Sequence, residues 1–358
     1  MTVLLERTAA TSSPTTEART ATAPGPARRR DPWPDNVRLV LVGLVVLGHT
    51  LSRGIQQSVP SAHAVYLFVY LFHIPAFVFV AGHFARSREL TPRALQTIVT
   101  RLLAPYVVFT VLYAVVRAVA TGHHVRVDLV DPWWLLWFLP ALAGWRLLAP
   151  LVLNLRAPVT VAVLVGLGAG MLERVGSAFT LARIVALLPF FVLGAVTPPD
   201  WLRLLRTREL RAAGAVVLTV TAALVAVLHD RVEGAWQPLF WNDDYAALDV
   251  SAGEGLLTRL ALYVVGAVLT LSVLAVVPGR RRWYTAVGAA SLYVYLLHGF
   301  VVRAAAKSGL LDHVTSWPLV AAVVLAVGAL TLVLGSGPVR RLTRPLVEPR
   351  LGWLLRRL

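Results

Sequence analysis

The sequence contains no cysteine, which excludes disulfides, thiolate metal sites and a cysteine nucleophile. Charge is scarce as well. Only 15% of the 358 residues are charged, where a soluble domain carries about 25%. Lysine is nearly missing, with Lys307 the single one among 34 basic residues. There is no GxSxG elbow, no Walker A loop and no internal repeat, so the signatures of serine hydrolases, P-loop enzymes and repeat architectures are lacking.

What fills the chain instead is apolar. Hydrophobic residues make up 57%, and the mean hydropathy is +0.70. They gather in blocks long enough to cross a bilayer, which takes about 20 residues. A soluble Rossmann-type enzyme, a β-barrel and a disordered scaffold are excluded, leaving an all-α polytopic membrane protein. The net charge of +16 would point to nucleic acid in a soluble protein. In a membrane protein it marks cytoplasmic loops, and no nucleic-acid partner is expected. The predominance of arginine and alanine suggests a GC-rich bacterial genome.

Residues 1–30 are rich in Thr, Ala, Pro and Ser and end in Arg28, Arg29 and Arg30. Without the apolar core of a signal peptide they read as an uncleaved, disordered cytoplasmic tail. Ten apolar spans follow, near 36–54, 64–84, 102–120, 133–153, 158–172, 179–197, 211–229, 255–277, 284–303 and 317–335. With the N-terminus inside, cytoplasmic segments hold 23 basic residues and extracytoplasmic loops five, the asymmetry of the positive-inside rule. Removing or adding one span would put a basic loop on the wrong side. Both termini are therefore expected in the cytoplasm, with 31–335 the membrane domain and 336–358 a basic tail. No appended soluble domain is expected. The long loop 230–254 falls outside and carries Trp236, Trp241, Asp243, Asp244, Tyr245 and Asp249. That composition suits the hydroxyls and CH faces of a carbohydrate, and equally suits a solvated loop resting on the bundle.

Ionisable side chains inside membrane spans are costly and mark candidate sites. The first span holds Arg38 and His49, with Asp35 at its entry. Eleven residues at 100° each bring His49 within about 20° of Arg38's face and about 16 Å along the axis. An arginine near the cytoplasmic surface can hold phosphates and a deeper imidazole can act as a base. The alternative is a hydrogen-bonded buried histidine and a snorkelling arginine. In the second span Pro75 predicts a kink that frees a backbone carbonyl, and His73 either meets that carbonyl or lines a cavity. Arg86 and Arg88, with Arg93 and Arg101, form a basic rim that attracts anions or only fixes topology. In the ninth span Ser291, Tyr295 and His298 make one polar stripe, either functional or helix-joining. Arg183 and Arg259 require carboxylates, carbonyls or a ligand. His123, His124 and Asp128 resemble a metal cluster too loosely to be one, and no metal is expected.

Taken together these segments resemble the acyltransferase-3 family of membrane acyltransferases. Asp35-Asn36-Val37-Arg38 followed by Gly48-His49 has that family's arginine–histidine spacing. Phe72-His73-Ile74-Pro75-Ala76-Phe77 is similar to its second-helix signature. Trp137-Phe138-Leu139 and the stretch from Leu188 to Gly194 resemble its branch similar to fucose 4-O-acetylases, and Ser291 to His298 its late-helix motif. The likeness spans about 31–335. Ala81-Gly82-His83 stands where the family often has Ser-Gly-Tyr, and Arg86-Ser87-Arg88 is a tighter form of its double-arginine pattern.

The resemblance implies a multi-pass protein of the cell (plasma) membrane. It would move an acyl group, acetyl by default, from cytoplasmic acetyl-CoA or another acyl-CoA to a hydroxyl of a sugar, surface glycan or glycolipid. His49 would be the catalytic base, with Arg38 and Asp35 its motif partners. Arg86 and Arg88 would bind the donor, and His73, Tyr295, His298 and Trp241 the acceptor. His73 or Tyr295 would serve the oxyanion. A multi-helix transporter or lipid or glycan flippase is the competing expectation.

Overall fold

Prolines and small polar caps set where the helices begin. Proline has no N–H to leave unpaired in a first turn and holds φ near the helical value. It opens the helices at Pro60, Pro92 and Pro158. Thr91, Thr207 and Ser251 cap their helices by accepting a backbone N–H, and Ser251 and Glu254 close a reciprocal capping box.

The computed structural model describes residues 31–51, 53–85, 88–172, 180–232 and 236–352. The expected N-terminal tail and Arg86 lie outside the described residues. The helices, in order, are α1 (Trp33–Thr50), α2 (Arg53–Ser58), α3 (Pro60–Tyr70), α4 (His73–His83), α5 (Pro92–Ile98), α6 (Ala104–Thr121), α7 (Phe138–Leu153), α8 (Pro158–Ala169), α9 (Leu181–Val196), α10 (Pro199–Leu204), α11 (Arg208–Leu228), α12 (Ala252–Val276), α13 (Thr285–Ala289), α14 (Ser291–Lys307), α15 (Trp317–Leu334) and α16 (Gly337–Val347). A π-helical turn, Val99–Leu103, joins α5 to α6, and a 3₁₀ turn, Trp134–Trp137, leads into α7. No strand occurs among the described residues.

Each segment expected to cross the membrane is helical. Among the described residues, six are long and apolar enough by themselves to do so: Pro60–His83, Pro92–Thr121, Trp134–Leu153, Arg208–Arg231, Ala252–Val276 and Trp317–Leu334. The others are shorter or more polar. Helices α8, α9 and α14 have 12, 16 and 17 residues, and α1 opens on Asp35, Asn36 and Arg38. Helix α11 presents Val216, Val220, Leu224 and Val227 outward, a face suited to lipid.

Helix α1 is central, packed against α13, α14 and α15 and also against α3 and α4. Its start is latched by Asn36, whose amide donates to the carbonyls of Pro278 (2.7 Å) and Arg280 (3.0 Å) and accepts from Thr285 (2.7 Å). Helices α4 and α9 cross with their backbones in contact. A Cβ on Gly82 would overlap the Phe191 carbonyl, and one on Gly194 would overlap the Phe79 carbonyl. The second span breaks between Tyr70 and His73, two residues ahead of Pro75.

Candidate active site

A cavity of about 820 Å³ lies between α1, α3, α4, the π turn, α7, α9 and α14. One end is cationic. Arg38, Arg101 and Arg146 line it together with Thr97 and Phe84. Arg38 donates to Asp35 at 3.0 Å and lies 4.6 Å from the centre of the Phe84 ring. Arg101 sits on the π turn, a costly conformation that recurs at functional sites. Arg146, from α7, has a buried Nε with no hydrogen-bond partner among the described residues. Its charged neighbours are the like charges of Arg101 and Arg38. No Asp or Glu stands among the described lining residues.

The other end is built around two histidines. His49 lies about 16 Å along α1 from Arg38, and His73 lies about 16 Å along α4 from Phe84, so the two rings share a level. His49 Nδ1 and His298 Nε2 are 2.9 Å apart, and His298 Nδ1 is 3.0 Å from the Val294 carbonyl. A carbonyl only accepts, so neutral His298 carries its proton on Nδ1 and its lone pair on Nε2. It therefore accepts Nδ1–H of His49 and leaves His49 Nε2 as the basic nitrogen. Trp134 covers the His49 ring at 4.8 Å between centroids. To do so Trp134 takes a φ of +48°, a left-handed conformation that costs of order 1–3 kcal/mol and clusters at active sites.

His73 lines the cavity and bonds a carbonyl, though not the Leu71 carbonyl that Pro75 leaves without its helical N–H. Its Nδ1–H donates to the Val69 carbonyl at the helix break (2.8 Å), and its ring lines the cavity. Tyr70 packs 4.6 Å from His73 and against Gly48, where a Cβ would press on the Tyr70 ring. Tyr295 lines the cavity while its hydroxyl donates to the Leu135 carbonyl. Arg183, third in α9, donates Nε–H to the Phe240 carbonyl at 3.1 Å and stacks 4.8 Å from the Trp137 ring centre.

The geometry thus joins Arg38, Asp35, His49, His73, Tyr295 and His298. It does not bring Arg88 or Trp241 to them. Arg88 is exposed on the loop after α4. Trp241 is 3% exposed, stacked on Tyr263 and edge-on to Phe190, and is absent from the cavity lining. The loop folds down onto the bundle because Tyr245 is buried too, its hydroxyl bonded to the Leu167 carbonyl at 2.9 Å. Arg259 is held there by the carbonyls of Gly166 (3.2 Å) and Asp243 (2.8 Å). Burial raises the Asp243 carboxyl above the usual range, and Arg183 draws it partly back. Asp128 accepts from the backbone of Val130 and Asp131. No group of three or more metal-ligating side chains occurs among the described residues.

A family model described as an acyltransferase domain, of the acyltransferase-3 type, matches residues 31–335. The chain belongs to the acyltransferase-3 family. No curated protein and no solved structure matches it. As a membrane acyltransferase, the protein needs room for an acyl donor and an acceptor, and the cavity reaches from an arginine-lined end to the His49 imidazole. Acyl transfer, not transport, is the activity the family supports. Sequence reading overlooked Arg146 and Trp134. Arg146 carried the same signal as Arg38, a cation in an apolar span, whereas nothing local distinguished Trp134 from other tryptophans.

Proposed function

We propose that this acyltransferase spans the plasma membrane about ten times with both termini cytoplasmic. It transfers acetyl from cytoplasmic acetyl-CoA to a hydroxyl of a sugar, surface glycan or glycolipid, as in the branch similar to fucose 4-O-acetylases. The observation that carries this reading is His49, paired with His298, on the wall of a cavity whose far end is lined by three arginines and, among the described residues, by no carboxylate, the nearby Asp35 being bonded to Arg38.

Arg38, Arg101 and Arg146 hold the donor's phosphates, a task that suits the planar guanidinium fork. Arg88, on the loop that follows α4, and Arg86, two positions before it in the sequence, add positive charge. The thin pantetheine arm runs along α1 past Val45 and Gly48 and presents the thioester near His49. His49 Nε2 removes the acceptor's hydroxyl proton as the oxygen attacks the thioester carbonyl. The tetrahedral intermediate collapses with cleavage of the C–S bond. The CoA sulfur leaves with the electron pair and recovers the proton from His49. His298 acts as a positioning residue, because its lone pair fixes the His49 tautomer and stabilises the imidazolium while it lasts. Asp35 orients Arg38. The hydroxyl of Tyr295 and the N–H of neutral His73 are already given to backbone carbonyls, so both shape the acceptor end and neither supplies an oxyanion donor.

Membranes holding the wild type or His49→Ala, supplied with radiolabelled acetyl-CoA and separated into lipid, polysaccharide and soluble fractions, test this. Label should fall by about 10²–10⁴-fold in the variant. The labelled fraction in wild type names the acceptor class. Full activity in a correctly inserted His49→Ala protein would overturn the mechanism.

A further inference from the structure

The donor's anionic groups account for the three arginines at one end of the cavity, but not for Arg183 at the other. Phe240 accepts from Arg183 and packs 5.6 Å from Tyr70, which in turn lies 4.6 Å from His73. That chain of contacts sets Arg183 at the histidine end, about 16 Å from the Arg38 end. Its guanidinium is held twice, through Nε by the Phe240 carbonyl and through its face by Trp137. Both terminal nitrogens are left, making no hydrogen bond or ion pair with any described residue. The carboxylate that acts most strongly on Arg183 is Asp243, which makes no ion pair with it and accepts from the Asn242 amide at 2.7 Å. A guanidinium is always charged, and this one is partly buried on the cavity wall, where an anion entering the cavity can meet it. Tyr66, Tyr70, Trp137 and Phe240 surround this end with aromatic faces, the surface on which a sugar ring stacks.

We propose that Arg183 reads a negative charge on the acceptor, so that the sugar receiving the acyl group bears a carboxylate or a phosphate. This rests on the acyltransferase reading and deepens it from a sugar to an anionic sugar. The two terminal nitrogens present a planar fork that matches either oxyanion. The competing role, stabilising a transient charge at the thioester carbonyl, would act equally on neutral and anionic acceptors.

Purified protein in nanodiscs provides the test, with radiolabelled hexyl β-glucoside, hexyl β-glucuronide and hexyl β-glucoside 6-phosphate as probes. Equilibrium binding and acetyl transfer would be measured for each, along with the dissociation constant of acetyl-CoA. An anionic probe should bind roughly 10–100-fold tighter than the neutral one, the size of a charge-assisted contact. Comparing glucuronide with phosphate tells which anion fits. Arg183→Gln should bring the anionic probe down to the neutral one's affinity and leave acetyl-CoA binding unchanged. Arg183→Lys should retain part of the preference and shows that the site survives substitution. Equal binding of neutral and anionic probes, or saturable binding of none, overturns the proposal. So does an equal loss of transfer to all three in Arg183→Gln, which would assign the guanidinium to the reacting carbonyl. Failure of the underlying reading looks different, because acetyl-CoA itself would then not bind.

Discussion

A histidine is only as useful as the partner that fixes its proton. His298 provides that for His49, and its contribution is separable from binding. His298→Ala leaves Nδ1–H of His49 without an acceptor and lets the ring adopt either tautomer. The expected loss is about 10–100-fold in kcat, the usual cost of removing an orienting partner, with the KM for acetyl-CoA unchanged. His298→Gln keeps a carbonyl oxygen that can accept from His49 and should recover part of the loss in the same assay. Arg146 shows the opposite signature. Its Nε is buried and has no partner among the described residues, so the ligand that completes it is expected to be anionic. Arg146→Gln should raise the acetyl-CoA KM roughly 10-fold or more with kcat little changed in steady-state kinetics.

At the scale of the helix, glycine marks where backbones meet. Gly82 and Gly194 sit at the crossing of α4 and α9, each against a carbonyl of the other helix. Gly82→Ala or Gly194→Ala must force the helices apart, costing about 1–3 kcal/mol, seen as a lower melting temperature in detergent. Gly43 of α1 has nothing within 4 Å of where a Cβ would stand. Gly43→Ala should instead stabilise by about 0.5–1 kcal/mol, because alanine loses less backbone freedom. These elements were largely legible in the sequence, since apolar length and proline position specify a membrane helix and its break. The crossing was not, because a Phe-x-x-Gly spacing in each helix says nothing about which helix faces which.

The whole molecule offers an unusually clean test of topology, because it has no native cysteine. A single cysteine at Thr207, just before α11, should react only with maleimide admitted to the cytoplasmic side. One at Ala247, in the loop before α12, should react with an impermeant maleimide outside intact cells. The reverse pattern would invert the bundle and place the arginine end of the cavity away from the cytoplasmic acyl-CoA proposed as donor.

Sequence alone determined the solvent of this protein and the order of its segments. Hydrocarbon length, proline and charge asymmetry act locally along the chain and can be read there. It also singled out Asp35, Arg38, His49 and His298, because an ionisable group in an apolar span stands out by its cost. Only the tertiary structure decided which of these meet. His49 and His298 are 249 positions apart yet share a hydrogen bond, and Trp241, suited by its chemistry to a sugar, is spent on packing against Tyr263. Burial and pairing are properties of neighbours in space, and three of α1's neighbours, α13, α14 and α15, come from the far end of the chain.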